Sequence, residues 1–179
     1  MYPMPRLMWQ LWQARKQPML PIDGTHVSTH ICWPIDLDFL MELNNGRTLT
    51  LYDLGRTPLG LRIGLLRALK EKKWGLTVAG SSTRYRRRVR MFDKLTMKSR
   101  GIGWDDRFLY VEQSMWNSGG DCTSHVLIRS AITDKDGIVC PDEFAKYCGH
   151  TGPRIDPPDW VLNWANADAT RSWPPMQDT

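Results

Sequence analysis

The sequence has no apolar run that approaches the ~20 residues of a membrane-spanning helix, so no membrane span is expected. Its four cysteines include no C-x-x-C pair, and Cys140, Cys148 and His150 do not have the spacing of common zinc ligands. We therefore expect no metal site and no disulfide framework, and free thiols indicate a reducing, cytoplasmic compartment. No internal repeat is present, and a content of 41% hydrophobic and 24% charged residues excludes disorder and collagen-like structure.

Positive charge is what the sequence has in excess. The formal net charge is +5, and 16 arginines stand against eight lysines. Because guanidinium groups suit phosphate and carboxylate partners, the composition predicts an anionic partner. Charge alone leaves nucleic acid, a membrane surface and a phosphorylated metabolite open. Five of the arginines lie within residues 84–90, which makes that segment the first candidate for anion binding.

Hydrophobic periodicity predicts one strand, two helices and four long strands, in that order. Residues 25–33 alternate as a strand does. Thr57-Pro58 is typical of a helix start, which predicts one helix over 45–56 and a second over 58–72. Period-two patterns between turn signals predict antiparallel strands at 76–91, 94–103, 107–117 and 122–133. One sheet with helix against one face is the α+β arrangement that this order favours.

Both ends of the chain are predicted to be extensions of one domain. Residues 1–24 lack the long apolar core and cleavage site of a secretory signal, so we expect an amphipathic segment packed on the body. Attachment to a membrane surface is the alternative interpretation. Residues 150–179 are rich in Pro and Trp, with a short helix from Asp156-Pro157-Pro158 through Trp164 and a loose end.

Two blocks of residues between these extensions resemble the acyl-CoA thioesterases of the hotdog fold. The first consists of Asp36-Leu37-Asp38, then five residues, Asn44-Asn45-Gly46-Arg47, and a helix that carries Asp53-Leu54-Gly55-Arg56. The second extends from Tyr85-Arg86-Arg87-Arg88 to Phe92-Asp93-Lys94-Leu95. The resemblance covers residues 25–149 and is closest to the branch of the thioesterase superfamily member 6 proteins. It implies an antiparallel β-sheet wrapped around a central α-helix.

The chemistry of this family fits the first block. Thioester hydrolysis needs a group that delivers water or a carboxylate to the carbonyl, and donors for the developing oxyanion. A carboxylate just before a helix N-terminus supplies the first, and the unpaired backbone N–H groups of the helix supply the second. The resemblance implies that Asp38 is the general base or nucleophile, and that the amides around Asn45 and Gly46 polarise the thioester.

The second block is the expected site of the CoA moiety. Arg86, Arg88 and Arg90 share one face of the predicted strand, together with Arg84, and are the candidates for the CoA phosphates. Acyl-CoA is therefore the expected substrate, and no cofactor is expected. Free sheet edges invite pairing, and the resemblance also implies a homodimer or a dimer of dimers. The site would then lie at the dimer interface, with Asp38 from one subunit and arginine from the other.

Each of these assignments has a plainer alternative. Asp36 and Asp38 also fit turn or cap positions, and Asn44-Asn45-Gly46 also fits a simple helix start. The segment 39–43 departs from many relatives, which have Gly-His there, and carries Glu42 instead. The alternative to an acyl-CoA thioesterase is therefore a non-catalytic hotdog protein that binds acyl-CoA or an acyl chain.

A nucleic-acid binder is the least favoured interpretation, so no nucleic-acid partner is expected. The clustered arginines lie on one predicted strand with little aromatic interleaving, and no recognition helix or RNA-binding signature is present. The acyl group is left open, because alternation does not decide which side chains form its pocket. The candidates for that lining are Phe39, Leu40, Met41, Trp74, Trp104 and Trp116.

Overall fold

The structure is a computed structural model that describes residues 2–176. It contains five α-helices and six β-strands within that range, in an order close to the predicted one. The helices are α1 (Met4–Arg15), α2 (Asn45–Arg62), α3 (Leu65–Lys72), α4 (Pro141–Tyr147) and α5 (Asp159–Ala169). The strands are β1 (His26–Ile31), β2 (Gly75–Tyr85), β3 (Lys94–Trp104), β4 (Leu109–Trp116), β5 (Cys122–Asp134) and β6 (Gly137–Ile138). No helix within residues 2–176 is both long and apolar enough to span a membrane.

The strands form one antiparallel sheet in the order β1-β3-β4-β5-β2, and β6 extends β5 as a short hairpin. Helix α2 packs against the concave face of this sheet. Its side chains Leu51, Tyr52 and Leu54 are fully buried there with Met97 and Met115 of the sheet. The α+β prediction, with an antiparallel sheet around a central helix, is confirmed.

Helix α2 is longer than the sequence pattern predicted. It continues through the buried Pro58 to Arg62, so the predicted helix start at Thr57-Pro58 is wrong. A proline inside a helix removes one backbone hydrogen bond, and burial of α2 against the sheet offsets that loss. The break falls instead at Gly64, whose φ of 85° is a left-handed conformation that glycine adopts without strain.

Strand β2 is shorter than predicted, because it ends at Tyr85 and not at residue 91. The backbone amides of Arg86 and Arg87 both donate to the carbonyl of Thr123, at 2.8 and 3.1 Å. Two successive donors on one acceptor mean that the chain leaves the regular ladder with β5 at this point. Arg86, Arg88 and Arg90 therefore lie on a connecting loop, and the prediction that they share a strand face is wrong.

Helix α1 covers the β1 edge of the sheet. Gln10 Nε2 donates to the carbonyl of Thr29 at 2.9 Å, and Arg6 donates to the carbonyl of Ile31 at 2.8 Å. The prediction that the N-terminal segment packs on the body is confirmed. The β2 edge has no such cover among the described residues, since β2 pairs only with β5 and most of its residues are exposed.

The C-terminal segment packs on the opposite, convex face of the sheet. Val161 of α5 is buried with Ile102, Tyr110 and Leu127. The helix predicted over 156–164 is present, but it begins and ends later, at Asp159 and Ala169. Helix α4 was not predicted, and the predicted loose end lies partly outside the described residues.

Candidate active site

The loop between β1 and α2 carries two carboxylates in contrasting environments. Asp36 is fully buried, and Arg6 and Arg47 bind its two oxygens at 2.7 and 2.8 Å. Burial opposes its ionisation, but hydrogen bonds from Arg6, the Trp33 amide and Arg47 outweigh burial and keep the pKa of Asp36 below its ordinary value. Asp36 therefore fastens α1 and the N-terminus of α2 to the loop, and its role is structural.

Asp38, two residues later, is half-buried and belongs to a tight turn. Its Oδ1 accepts from the amide of Leu40 at 2.8 Å and, less closely, from that of Glu42 at 3.4 Å. Met41 in this turn has φ 58°, a left-handed conformation that normally favours glycine. The chain thus forms a left-handed turn at a residue other than glycine.

Two backbone amides at the N-terminus of α2, those of Asn45 and Gly46, are the predicted oxyanion donors. In the structure the Gly46 amide is already hydrogen bonded, whereas the Asn45 amide is open. The Asn44 side chain caps the helix, and its Oδ1 accepts from Gly46 N at 2.9 Å and Arg47 N at 3.2 Å. The amide of Asn45 donates to no group in residues 2–176. The capping interpretation of Asn44 is therefore correct, and Asn45 supplies the free backbone donor.

A cleft of about 230 Å³ lies beside this helix N-terminus. Two of its walls are the loop after β2 and the segment that leads into α2. It brings together Asn45, Arg86 and Arg88 from the predicted set, and Glu42 lines it as well. The Arg88 Nε lies 3.2 Å from a Glu42 oxygen. The carboxylate of Asp38, the Gly46 residue and Arg90 are not part of the cleft wall.

A second, apolar cavity of about 260 Å³ lies along the C-terminal half of α2. Of the six residues suggested for an acyl pocket, Trp104 alone lines it, together with aliphatic side chains such as Leu59, Ile63 and Leu66. Asp53 and Arg56 form an ion pair at its wall, and Arg56 also donates to Gln113 at 3.2 Å. Burial raises the pKa of Asp53 and lowers that of Arg56.

The three histidines of the predicted strands, His26, His30 and His125, do not line the cleft. His30 is buried beside Ser28, and burial, followed by the nearby Arg6 charge, lowers its pKa to about 4. His125 hydrogen bonds to Glu112 on the convex face of the sheet, at 2.9 Å. The bonds from His125 and Arg100 lower the pKa of Glu112 to about 2 against the effect of burial. Within residues 2–176, no three His, Cys, Asp or Glu side chains cluster as a metal site would require.

The sequence reasoning missed the apolar cavity and both bonding partners of Asp36, Arg6 and Arg47. The cavity is formed by side chains from helices α2, α3 and α4 and from several strands, so no local pattern reveals it. The Arg6–Asp36 pair joins residues 30 positions apart, and a lone arginine in an amphipathic helix gives no signal of such a contact. The Asp53–Arg56 pair was identifiable, because residues three apart face one another on a helix.

A family model and individual relatives place the sequence in the same family. The model of the thioesterase-like superfamily matches residues 32–165. Protein THEM6 of Xenopus laevis is 35% identical over 155 residues, which are 85% of this chain and 73% of that protein. Protein THEM6 of Drosophila melanogaster is 27% identical over 139 residues, which are 76% of this chain and 70% of that protein.

Solved structures show the same fold at low sequence identity. The probable thioesterase YbaW of Escherichia coli superimposes with a TM-score of 0.65 at 16% identity, over 73% of this chain and 99% of that one. A Staphylococcus aureus protein solved in complex with CoA gives a TM-score of 0.61 at 13% identity, over 78% and 93%. The family match over most of the sequence and the shared architecture show that this chain belongs to the thioesterase-like superfamily and has the hotdog fold.

Proposed function

We propose that the protein is an acyl-CoA thioesterase with its site at the N-terminus of α2. The observation that carries this proposal is the cleft beside that helix, where Asn45, whose backbone amide is open, lines a space bounded by arginines and a carboxylate. This combination serves a substrate with a carbonyl to polarise and phosphates to bind. Membership of the thioesterase-like superfamily supports the same reaction class.

In the proposed reaction, Asp38 is the base or the nucleophile. As a base it removes a proton from a water molecule that attacks the thioester carbon, and as a nucleophile it attacks that carbon itself. The carbonyl oxygen then gains negative charge, which the Asn45 amide and the positive end of the α2 dipole stabilise. Collapse of the intermediate breaks the C–S bond and expels the CoA thiolate. On the base route the thiolate takes up the proton that Asp38 removed from water, and the products are a carboxylic acid and CoA. On the nucleophilic route collapse leaves a mixed anhydride on Asp38, which a water molecule hydrolyses to the same acid while regenerating the carboxylate. The Gly46 amide can donate to the oxyanion only if its hydrogen bond to the Asn44 side chain breaks.

Glu42 is the competing carboxylate, because it lines the cleft while the carboxylate of Asp38 closes a turn beside it. Its pairing with Arg88 gives Glu42 a second interpretation, as the group that orients this arginine. Asp38 keeps first place because its position matches the carboxylate of the family motif. The two residues are separated by experiment below.

The CoA phosphates are assigned to the loop after β2. Arg86 and Arg88 line the cleft and are exposed, and Arg90 lies on the same loop. Guanidinium groups bind phosphate oxygens through paired hydrogen bonds, so several arginines on one loop suit a diphosphate. The complex of the Staphylococcus aureus neighbour with CoA supports CoA as the ligand class.

The acyl group is assigned to the apolar cavity. Asn45 and Asp53 are eight residues apart on α2, which corresponds to about 12 Å along the helix axis. A chain attached to a thioester at Asn45 would therefore follow α2 to the cavity wall at Asp53. Acyl groups long enough to cover that distance are the expected substrates.

A homodimer through the β2 edge is part of the proposal. Leu76 and Val78 are exposed on this uncovered strand, and the edge presents free backbone donors and acceptors. Pairing with the same edge of a second copy would satisfy them and bring a second set of loops to each cleft.

The four cysteines are free thiols, which supports the expected cytoplasmic location.

The proposal is tested by measuring thiol release from a panel of acyl-CoA substrates. We expect Asp38→Asn to lower kcat by about 10²–10⁴-fold, because the amide neither accepts a proton nor attacks the carbonyl. The free energy of unfolding should change by less than about 0.5 kcal/mol, since the amide oxygen still accepts from the turn. Loss of activity together with loss of folding would not support a catalytic role.

Glu42→Gln is the matched control, in the same loop and of similar size. Its effect on kcat is expected to stay below about tenfold. A larger effect for Glu42→Gln than for Asp38→Asn would assign the carboxylate role to Glu42. If the unmodified protein binds acyl-CoA but hydrolyses none of the panel, the enzyme assignment is wrong and a binding protein remains.

A further inference from the structure

Helix α1 presents an apolar face to solvent. Met4, Met8, Trp9 and Trp12 are 52%, 54%, 55% and 47% exposed, and their spacing places them on one side of the helix. The Trp9 and Trp12 rings stack on each other with centroids 4.9 Å apart. Large side chains of this kind are rarely gathered on a solvent-exposed surface without a partner.

The opposite side of α1 is fixed to the domain. Gln10 and Ala14 are buried, and Gln10 bonds to the edge of β1. Arg6 reaches both the buried Asp36 carboxylate, at 2.7 Å, and the carbonyl of Ile31. Because these polar bonds have specific partners, α1 cannot roll its tryptophans inward without breaking them. The apolar face is therefore held outward by the fold.

The charged residues of α1 and its flanking segments are all basic. Residues 1–22 contain no Asp or Glu and include Arg6, Arg15 and Lys16. Arg6 is engaged by Asp36, but Arg15 and Lys16 are exposed at the C-terminal end of α1. The Lys16 ammonium lies 3.3 Å from the centre of the Trp12 ring, so the cationic and aromatic groups form one surface.

We propose that α1 is an interfacial helix that docks the protein on an anionic lipid surface. The four exposed apolar side chains enter the boundary between headgroups and acyl chains, and Arg15 and Lys16 contact the lipid phosphates. Tryptophan suits this boundary, because its ring is largely apolar and its N–H needs a polar partner. Helices with tryptophan on one face and cations beside it are typical of binding in the plane of a membrane.

A lipid surface fits the charge pattern better than a second copy of this chain. Two copies that met through α1 would join segments that carry basic residues and no acidic ones, so no ion pair between the two helices would favour association. An anionic surface instead attracts these cations and the net charge of +5. A single helix of this size gives reversible, salt-sensitive attachment. The inference involves no residue of the proposed thioesterase reaction, so each proposal can fail alone.

The test is flotation of the full chain with vesicles of phosphatidylcholine, with or without phosphatidylglycerol, at low and at physiological salt. The protein is expected to float with the anionic vesicles and to be released as salt rises. Combined Trp9→Ser and Trp12→Ser substitutions should lower the partition coefficient by roughly tenfold or more. Combined Arg15→Gln and Lys16→Gln substitutions should lower the partition coefficient on anionic vesicles by roughly fivefold per charge removed, and should not lower it on vesicles of phosphatidylcholine.

Trp173→Ser is the matched control, since it removes an exposed tryptophan outside α1 and should leave flotation unchanged. Circular dichroism and the Tm establish that each variant is folded. If the tryptophan pair impairs folding, combined Met4→Gln and Met8→Gln substitutions replace it and should also reduce flotation. Absence of the unmodified protein from the anionic vesicle fraction would overturn the proposal, and so would unchanged flotation of the folded α1 variants. A dimer that dissociates when the tryptophans are replaced would assign this face to a second copy.

Discussion

The two ends of α2 are each held by an arginine, but the partners differ in charge. At the N-terminal end Arg47 binds the buried Asp36 carboxylate, which Arg6 of α1 also binds. At the C-terminal end Arg62 lies 3.0 Å from a ring nitrogen of the buried His26 and donates to the carbonyl of Pro18. One end therefore depends on an ion pair, and the other depends on a neutral ring and a backbone group.

The surroundings of α2 follow the same division. The N-terminal end opens to a polar cleft. The first amides of a helix need acceptors and attract negative charge, so a polar group or an anion suits this position. The C-terminal half borders an apolar cavity, at whose wall Asp53 and Arg56 form an ion pair and Asp23 is a further charged residue. The difference teaches that one helix can serve a polar reaction at its start and an apolar group further along.

The largest expected effect on stability is at the ion-paired end of α2. Asp36→Asn leaves Arg6 and Arg47 without their anion and places amide protons against them, so we expect a loss of about 2–4 kcal/mol in unfolding free energy. Urea denaturation measures the loss, and hydrogen exchange should show opening of α1. Asp38→Asn serves as the control in the same loop. Equal losses for the two variants would contradict the contrast drawn between these carboxylates.

Acid should weaken the neutral end at a higher pH than the ion-paired end. Burial and the Arg62 charge lower the pKa of His26, the histidine at the neutral end, from 6.5 to about 4. The unfolded chain therefore takes up protons first as the pH falls from 6.5 towards 4, and stability is lost across that window. The lowered pKa of this histidine reduces the free energy of unfolding by up to about 2–3 kcal/mol at pH 4.

His26→Gln tests this window, because glutamine still accepts from Arg62 but does not titrate. Urea denaturation between pH 7 and pH 4 should show a smaller loss of stability in this variant than in the unmodified protein. An unaltered slope in His26→Gln would show that His26 is not responsible.

Filling the apolar cavity should change substrate selection without changing the chemistry. Leu66 is half-buried at the cavity wall, so Leu66→Trp shortens the space available to an acyl group. We expect kcat/KM for long acyl-CoA substrates to fall about tenfold while short ones change little. Leu162→Trp on α5 is the control at a distant surface. A uniform loss for all chain lengths would contradict the assignment of this cavity.

The smallest expected effect concerns the cap of α2. Asn44→Ala removes the side-chain acceptor of Gly46 and Arg47, which should cost about 1 kcal/mol of unfolding free energy. It also frees the Gly46 amide beside that of Asn45. If both amides serve as oxyanion donors, kcat should be retained despite the lower stability. A fall in kcat comparable to that of Asp38→Asn would instead show that the cap positions the loop.

Much of the fold was predictable because periodicity is a local property. Three of the four long strands were placed within two residues of their observed ends, since alternation and turn signals coincide there. The errors occurred where distant contacts outweighed local preference. Pro58 stays within α2 because the surrounding core holds the helix, and β2 ends at Tyr85 because Thr123 accepts from two successive amides.

The candidate site was predictable in its residue types and less so in its geometry. The motif drew attention to Asn45, Arg86 and Arg88, and the structure places all three along one cleft. Spacing does not distinguish Asp36 from Asp38, because both belong to the same short motif. Their environments differ through Arg6 and Arg47, which approach one carboxylate and not the other.

The sequence by itself determined the family, the order of the strands and helices, and the residue types available for chemistry. These follow from motif spacing and from the alternation of neighbouring residues, which the chain carries wherever it folds. Only the tertiary structure decided which carboxylate is buried, which face of β1 turns inward and which edge of the sheet α1 covers. Those outcomes depend on groups far apart in sequence, since burial and charge pairing are properties of the packed molecule and not of any one segment.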